Sequence, residues 1–379
     1  MKVLFVLHTT KMDGSSHSLL NLVKGLKRKG VNVIAVGPKK NYGLVDRLDE
    51  MEVHYYRLNV AESIYPLKGP LFILKCVNLL RRKYLSYKEL LNISRDFSPD
   101  IIHTNVGTIH EGVKVAKKLG IPHVWHLREY QDKDFGWSFF PCRNNFISKI
   151  KKSFVITISQ DINSYFELQN YANAKTIYNG IYNKETFQFF PHKEKYFLCC
   201  SRISKEKGHD SVIQAFSVFL RSNPDYKLKI LGDGNQEFIE YIKRLSISCG
   251  CFNSIEWLGY QKDVLSYMNK ATALIVASHF EGFGRMTAEA CFAGCLVIGR
   301  NSGGTREILK ETGGFLFNDN NELVSSMQMV SSLAPKEYQE RALYAQHKAQ
   351  ELYSIDNNID QTYNFYKEIL SQWKKKRES

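Results

Sequence analysis

The sequence has no apolar run approaching the ~20 residues that span a bilayer. No C-x-x-C pair occurs among its 8 cysteines. The first absence speaks against a transmembrane helix, and the second leaves no metal spacing. Cys199 and Cys200 are adjacent, Cys249 and Cys251 lie two apart, and Cys291 and Cys295 are one helical turn apart. They read as buried, reduced thiols of a cytosolic protein. The start, MKVLFVLH, lacks the longer apolar stretch and small-residue cleavage site of a signal peptide, and reads as a buried first strand. No RNP, zinc or helix-turn-helix frame accompanies the basic residues. That argues against a specific nucleic-acid binder, even at a net charge of +14.

The chain of 379 residues is too long for one ordinary core and points to two domains. Apolar content of 44% and charged content of 24% are an ordinary globular balance. The charge is uneven. Residues 1–190 hold 28 Lys and Arg against 16 Asp and Glu. The remainder is nearly neutral apart from Lys374-Lys375-Lys376-Arg377. A basic first half suggests an anionic partner surface: membrane lipid, a lipid pyrophosphate or nucleic acid.

Apolar runs and turn signals alternate in a βα pattern. In the first half, strands are predicted at Lys2–Leu7, Val31–Val36, Ile101–Thr104, Pro122–Trp125 and Phe154–Ile158. Helices are predicted at about His17–Lys29 and Val113–Leu119. The second half restarts the pattern, with strands at Phe197–Cys200, Lys227–Leu231, Ile255–Leu258, Ala273–Ala277 and Leu296–Ile298. Helices are expected at Gly208–Leu220, Asn235–Ser246 and Asp263–Asn269. Repeated βα units imply a parallel sheet, so two Rossmann-like domains joined near residues 182–195 are expected. A long aromatic helix, about Asn358–Lys374, could pack across both. Ser63–Leu91 interrupts the pattern. From Leu71 it reads as a basic amphipathic helix, with Lys75, Arg81, Arg82, Lys83 and Lys88 among apolar residues. Such a helix either lies on an anionic membrane or packs on the sheet with a solvated basic face.

Four constellations carry chemistry. Arg202 and Lys207 leave the carboxyl end of a predicted strand, where two cations can neutralise a diphosphate. Glu281 precedes a helix that bears Glu289, with Gly282-Phe283-Gly284 between them. One carboxylate then suits sugar hydroxyls and the other a ribose. Backbone N–H groups around Phe283–Thr287, including those of Met286 and Thr287, face the phosphates. The Asp13-Gly14-Ser15-Ser16 loop after the first strand offers further backbone donors, and it is not a G-x-G-x-x-G fingerprint. Trp125-His126-Leu127-Arg128-Glu129 closes a strand and is expected to line an interdomain cleft, where His126 can hydrogen-bond substrate hydroxyls. His103 and His110 are weaker candidates. Asp132-Lys133-Asp134 matches an aspartate-x-aspartate pattern and reads as a solvated loop.

With these residues in order, the chain resembles a retaining glycosyltransferase of family 4 with a GT-B fold, of the bacterial surface-polysaccharide type. The E-x7-E pair Glu281/Glu289, the Arg202–Gly208 segment, Tyr178-Asn179-Gly180, Gly232-Asp233-Gly234, Gly259, Ser278 and Gly303-Gly304-x-x-Glu307 carry the resemblance. It implies two Rossmann-like domains facing each other across a cleft. Residues 1–185, with the helix at about 355–379 packing back, would bind the acceptor, and residues 186–354 the donor. It also implies that Arg202 and Lys207 hold the donor diphosphate, with Gly14 and Ser15 contributing. Glu281 and His126 would meet the sugar. Glu289, Gly232, Gly259 and Tyr260 would meet the ribose and base. Gly-Gly is common in the family where Asp13-Gly14-Ser15 stands here, and apolar residues with proline are usual at Arg285-Met286.

The implied reaction takes a nucleotide-diphosphate sugar, with UDP the expected carrier, to a glycan or lipid-linked glycan acceptor in polysaccharide biosynthesis. No cofactor or metal is expected, because the two cations replace one. A cytoplasmic protein, peripheral on the inner face of an anionic membrane, is expected. The alternatives are a two-domain sugar-nucleotide epimerase, which lacks an evident acid–base set, and a glycogen-synthase-like transferase. A catalytically dead nucleotide-sugar binder fits less well, because Arg202, Lys207 and Glu281 are all present.

Overall fold

The computed structural model describes residues 1–65, 71–136, 138–185 and 187–378. Positions 66–70 of the Ser63–Leu91 segment and position 186 of the 182–195 stretch lie outside the described residues. Two compact units emerge: Met1–Gly180 together with Ile355–Ser379, and Ile181–Ser354. The chain leaves the first unit directly after the Tyr178-Asn179-Gly180 triplet, ahead of the 182–195 stretch.

The strands of the first unit are β1 (Lys2–Val6), β2 (Asn32–Pro38), β3 (Tyr55–Leu58), β4 (Ile64–Tyr65), β5 (Ile101–Thr104), β6 (His123–Leu127), β7 (Ser138–Phe139), β8 (Phe154–Thr157) and β9 (Ala174–Thr176). Seven form one parallel sheet in the order β3-β2-β1-β5-β6-β8-β9, and β4 pairs antiparallel with β7. Alternation along β1 sorts the core, since successive side chains leave opposite faces. Val3 and Phe5 join Leu19, Leu22 and Leu26 of the helix Gly14–Arg28 and Ile359 and Tyr366 of the final helix. Leu4 and Val6 join Leu90 and Leu91 of the helix Phe72–Phe97 and Val115 of the helix Glu111–Leu119. The sheet is thus covered on both sides, as an all-parallel sheet requires.

Three boundaries differ from the sequence reading for local reasons. The first helix starts at Gly14, because Asp13 accepts a hydrogen bond from the Ser16 backbone N at 3.0 Å and acts as its N-cap. The expected Asp13–Ser16 loop is therefore a cap and a first turn. Strand β6 starts at His123 and runs to Leu127, so the first three residues of the Trp125–Glu129 segment lie inside the strand. The final helix spans Ile355–Glu378 and belongs to the first unit rather than to both. Its Asn358 side-chain N donates to the Tyr178 carbonyl at 2.6 Å, and the Trp373 indole N–H donates to the Gly120 carbonyl at 3.0 Å.

The second unit holds β10 (Tyr196–Cys200), β11 (Lys227–Leu231), β12 (Ile255–Gly259), β13 (Ala273–Val276), β14 (Val297–Arg300) and β15 (Phe315–Phe317). They form a parallel sheet in the order β12-β11-β10-β13-β14-β15. One core joins Phe197, Phe216, Phe219, Leu228 and Ile275, with Tyr226 stacked on Phe197 at 5.4 Å between centroids. Four of the eight thiols, Cys199, Cys251, Cys291 and Cys295, are buried here, whereas Cys142 in the first unit is exposed and departs from the expected burial.

The seam between the first and final helices is testable. A Cβ added at Gly25 would lie 2.1 Å from the Ile359 Cδ1. Gly25→Ala should destabilise by about 1–3 kcal/mol through overpacking, and Ile359→Ala by about 2–5 kcal/mol through a cavity. The double variant should lose less than the sum by about 1 kcal/mol or more. Urea unfolding of the four proteins measures this.

Candidate active site

Both sheets change direction beside their first strand, β1 lying next to β5 and β10 next to β13. Loops leaving two such strands depart to opposite sides and open a crevice at the strand carboxyl ends. In the second unit this crevice is a cavity of about 220 Å³. Arg202 and Lys207 line it from the loop after β10, Ser278 and Glu281 from the loop after β13, and Arg285 and Met286 from the next helix.

Close backbone contact fixes the Glu281 loop. Gly208 has φ +68°, and a Cβ there would sit 2.4 Å from the Ala277 carbonyl oxygen. On the other side, a Cβ at Gly304 would sit 2.1 Å from the Phe283 carbonyl oxygen. The Gly304 N–H donates to the Glu281 carbonyl at 2.8 Å, and the His279 N–H to the Glu206 carbonyl at 2.9 Å. The loop therefore lies clamped between the ends of two neighbouring segments. Within that clamp the Lys207 Nζ stands 2.5 Å from Glu281 Oε1, with each side chain about a fifth exposed (22% and 21%).

The helix Arg285–Phe292 carries Glu289, and Gly284 caps it. Arg285 Nε donates to Glu289 Oε1 at 2.7 Å, an i,i+4 pair. Burial raises the Glu289 carboxyl above its ordinary value, and Arg285 opposes that rise. Tyr182 also feels Glu289. Its hydroxyl is pushed up to about 12, first by burial and then by that carboxylate. The sequence reading leaves Glu289 free for a ribose; here its carboxylate is already engaged. The Phe283 side chain is buried edge-on to Tyr353, 5.7 Å between centroids. The Thr287 side chain is buried too, its hydroxyl 3.3 Å from that of Thr305. The Gly232 N–H donates to the Gly259 carbonyl at 2.8 Å, and a Cβ on Gly232 would lie 2.0 Å from the Ser201 carbonyl oxygen. Gly232 thus holds the end of β11 against the Arg202 loop and ties it to Gly259 at the end of β12, while Tyr260 beside them is 69% exposed.

Two lining residues escaped the sequence reading. Arg285 registered only as a departure from a pattern, although an arginine one turn before a helical glutamate is itself a pairing signal. His209 lines the same cavity with Nε2 3.4 Å from the Ser201 hydroxyl. Burial takes the imidazole down to about 4, and a backbone hydrogen bond with Ser204 opposes that fall. Its position at the first turn of the helix His209–Leu220 carried no sequence signal.

In the first unit, Gly14 is exposed and Ser15 half-buried in the first turn of their helix, with the Ser15 hydroxyl donating to Asp13 at 2.7 Å. His126 is enclosed within a polar chain through the core. The Tyr366 hydroxyl is 2.6 Å from His103 Nδ1, His103 Nε2 is 3.2 Å from His126 Nδ1, and Arg128 Nη2 is 3.3 Å from that same Nδ1. Arg128 also donates to Asn105 at 3.1 Å and to Asn179 at 2.8 Å. His126 Nε2 has no partner. Burial, then Arg128, holds the His103 and His126 imidazoles well below their ordinary value. Asp132, expected in a solvated loop, starts the short helix Asp132–Phe135 and accepts the Tyr165 hydroxyl at 2.6 Å. Among the described residues, no three His, Cys, Asp or Glu side chains converge as a metal-ion site.

Two family models match the chain in tandem: a glycosyl transferase 4-like domain over residues 13–180 and glycosyl transferases group 1 over residues 183–347. The poly(glycerol-phosphate) alpha-glucosyltransferase of Bacillus subtilis is 34% identical over 130 residues, which are 30% of this chain and 19% of that protein. The alpha-monoglucosyldiacylglycerol synthase of Acholeplasma laidlawii is 25% identical over 350 residues, 83% of this chain and 84% of that one. Anabaena HepE, solved in complex with UDP, superposes with a TM-score of 0.78 at 18% identity, covering 96% of this chain and 99% of that chain. A likeness of that extent shows a shared fold.

The buried histidines set a pH dependence. Unfolded imidazoles take up protons near their ordinary value of about 6.5, while His103, His110 and His126 stay neutral in the folded chain. His123, 2.8 Å from the Thr104 hydroxyl, is lowered to about 3 by burial. The unfolded state thus binds more protons below that point, so stability is full above about pH 6.5 and falls as pH drops. Each neutral histidine should add a slope of about 1.4 kcal/mol per pH unit. Urea unfolding between pH 7.5 and 5, followed by tryptophan fluorescence, should show the fall, and His123→Gln should flatten it.

Proposed function

This chain belongs to the GT-B glycosyltransferases, with a 4-like domain followed by a group 1 domain, and on that premise we propose that it transfers a sugar from a UDP-linked donor to a hydroxyl of a glycan or lipid-linked glycan, with retention at the anomeric carbon. The observation that carries the reading is the convergence of Arg202, Lys207 and Arg285 with Glu281 in one cavity at the carboxyl ends of β10 and β13. Cations suit a diphosphate, and a carboxylate beside them suits sugar hydroxyls. The relatives support the same chemistry: two are named for alpha-glucosyl or alpha-monoglucosyl products, and HepE is also solved in complex with UDP-glucose.

In this reading the bond between the anomeric carbon and the diphosphate oxygen breaks, and the leaving diphosphate gains negative charge. Arg202 and Lys207 stabilise that charge more than they stabilise the bound donor, which lowers the barrier. The acceptor hydroxyl attacks from the face that the diphosphate leaves, and its proton passes to the departing phosphate oxygen. Glu281 holds the sugar rather than attacking it, since its carboxylate is tied to Lys207. No enzymic nucleophile is needed, and the side-chain cations do the work of a metal ion. Glu289 serves the ribose, with Arg285 holding its carboxylate in place. Gly282, Gly284, Met286 and Thr287 act through their backbone. In this reading the first unit binds the acceptor. The setting is polysaccharide biosynthesis in the cytoplasm.

A thermal-shift series with UDP-sugars and other nucleotide sugars tests the proposal. At a ligand concentration about 100 times Kd, binding should add about 2.7 kcal/mol. Arg202→Ala and Glu281→Ala should abolish the shift or blunt it. With the donor that binds, Arg202→Ala should lower kcat by about 10²–10³, and NMR of the product should show the donor's anomeric configuration kept. A wild type that no nucleotide sugar stabilises would sink the reading.

A further inference from the structure

The first half of the helix Phe72–Phe97 turns its apolar residues away from the core, whereas Leu90 and Leu91 in its second half are buried. Ile73 is 75% exposed, Val77 59%, Leu80 53% and Tyr84 56%. At about 100° per residue these four fall within an arc of about 60° and form one stripe. Leu71 and Leu74, 57% and 64% exposed, add apolar surface at the N-terminal end. In that first half the buried residue is Lys83, 6% exposed, with its ammonium 3.0 Å from Glu111. This reverses the usual order of an amphipathic surface helix, whose apolar face packs inward.

Cations flank the stripe on both sides. On the helical wheel, Arg81 and Lys88 lie on one side, both exposed. On the other, Lys114, Lys117 and Lys118 of the helix Glu111–Leu119 combine with Leu80 and Tyr84 to line a cavity of about 610 Å³. No acidic residue occurs from Leu71 to Lys88. The helix connects the carboxyl edge of the first sheet, after β3, to the amino edge, before β5. The exposed apolar residues occupy its first half, so they lie toward the edge at which β1 and β5 end.

We propose that this face docks on an anionic lipid bilayer. The stripe Ile73-Val77-Leu80-Tyr84 enters the boundary between headgroups and acyl chains, and the lysine-lined cavity receives lipid phosphates. Charge complementarity selects this occupant. The surface around the stripe carries one sign over two helices, which matches a uniformly anionic sheet of headgroups. The proposal needs no donor and stands apart from the transfer reading.

The test is co-sedimentation of the full-length protein with phosphatidylcholine vesicles, with and without phosphatidylglycerol. The wild type should bind the vesicles that contain phosphatidylglycerol and bind the others weakly. Ile73→Glu with Val77→Glu should lower partitioning at least about tenfold. Lys117→Ala with Lys118→Ala should lower it about fivefold per lysine. All four residues are exposed, so melting temperatures should hold, and Arg202→Ala should bind vesicles like the wild type. Equal sedimentation of the Ile73→Glu/Val77→Glu protein, or no binding of anionic vesicles by the wild type, overturns the proposal. Sedimentation velocity that shows a wild-type dimer, dissolved by the same pair of substitutions, assigns the stripe to a second copy and overturns it as well.

Discussion

Backbone pressed against backbone around residues 277–284 is the constraint from which the second unit's cavity follows. Gly208 meets the Ala277 carbonyl on one side and Gly304 meets that of Phe283 on the other, at distances no Cβ allows. The loop after β13 is therefore placed before any side chain acts. Once it is placed, Glu281 and Lys207 share one wall although 74 residues separate them in sequence. Glycines here work through the absence of a side chain, and the neighbouring segments complete the loop's backbone hydrogen bonds, the Glu206 carbonyl accepting from the His279 N–H and the Gly304 N–H donating to the Glu281 carbonyl.

Two ion pairs then decide what the cavity presents. Lys207–Glu281 keeps both partners about a fifth exposed, so solvent screens the pair and its worth to stability is modest. Its value is positional: both heads sit in place before a ligand arrives, which is how preorganised charge gains its effect. Arg285–Glu289 differs, because the Glu289 side chain is only 10% exposed. A carboxylate that buried rises toward its neutral form unless a cation holds it, and Arg285 is that cation. An arginine where apolar residues are usual thus compensates a local electrostatic need while adding a third positive group to the cavity wall.

The sheets were legible because their strands are short apolar runs closed by turn residues. Ile101–Thr104 and Lys227–Leu231 were placed to the residue. The Glu281/Glu289 arrangement of loop, then helix, was legible from its glycines. Burial of polar groups was not. Nothing in Trp125–Glu129 tells that Arg128 bonds Asn105 and Asn179, because those partners lie 23 and 51 residues away. Asp13 was read as part of a loop, when its spacing to Ser16 is that of a cap and a first turn. Local chemistry reads well from sequence wherever partners lie within a turn, and poorly wherever the fold supplies them.

The same limit explains why the sequence leaves the orientation of the helix Phe72–Phe97 open. Its composition permits two rotations about its own axis. In one, Ile73, Val77, Leu80 and Tyr84 would face the core and Lys83 would reach water. In the other, Lys83 is buried and the stripe is exposed. Burial of the stripe favours the first, and burial of Leu90 on the Lys83 face favours the second. Glu111 decides against the first, because its carboxylate is fully buried at the start of a neighbouring helix and needs a cation. Removing one partner of a buried pair costs about 3–5 kcal/mol, so turning Lys83 away would leave that cost in the core. Lys83 also donates to the Ser63 hydroxyl, which ties the helix to the loop beyond β3. The buried Lys83–Glu111 pair, with Leu90 buried on the same face of the helix, therefore fixes the rotation and, through it, the outward direction of the apolar stripe.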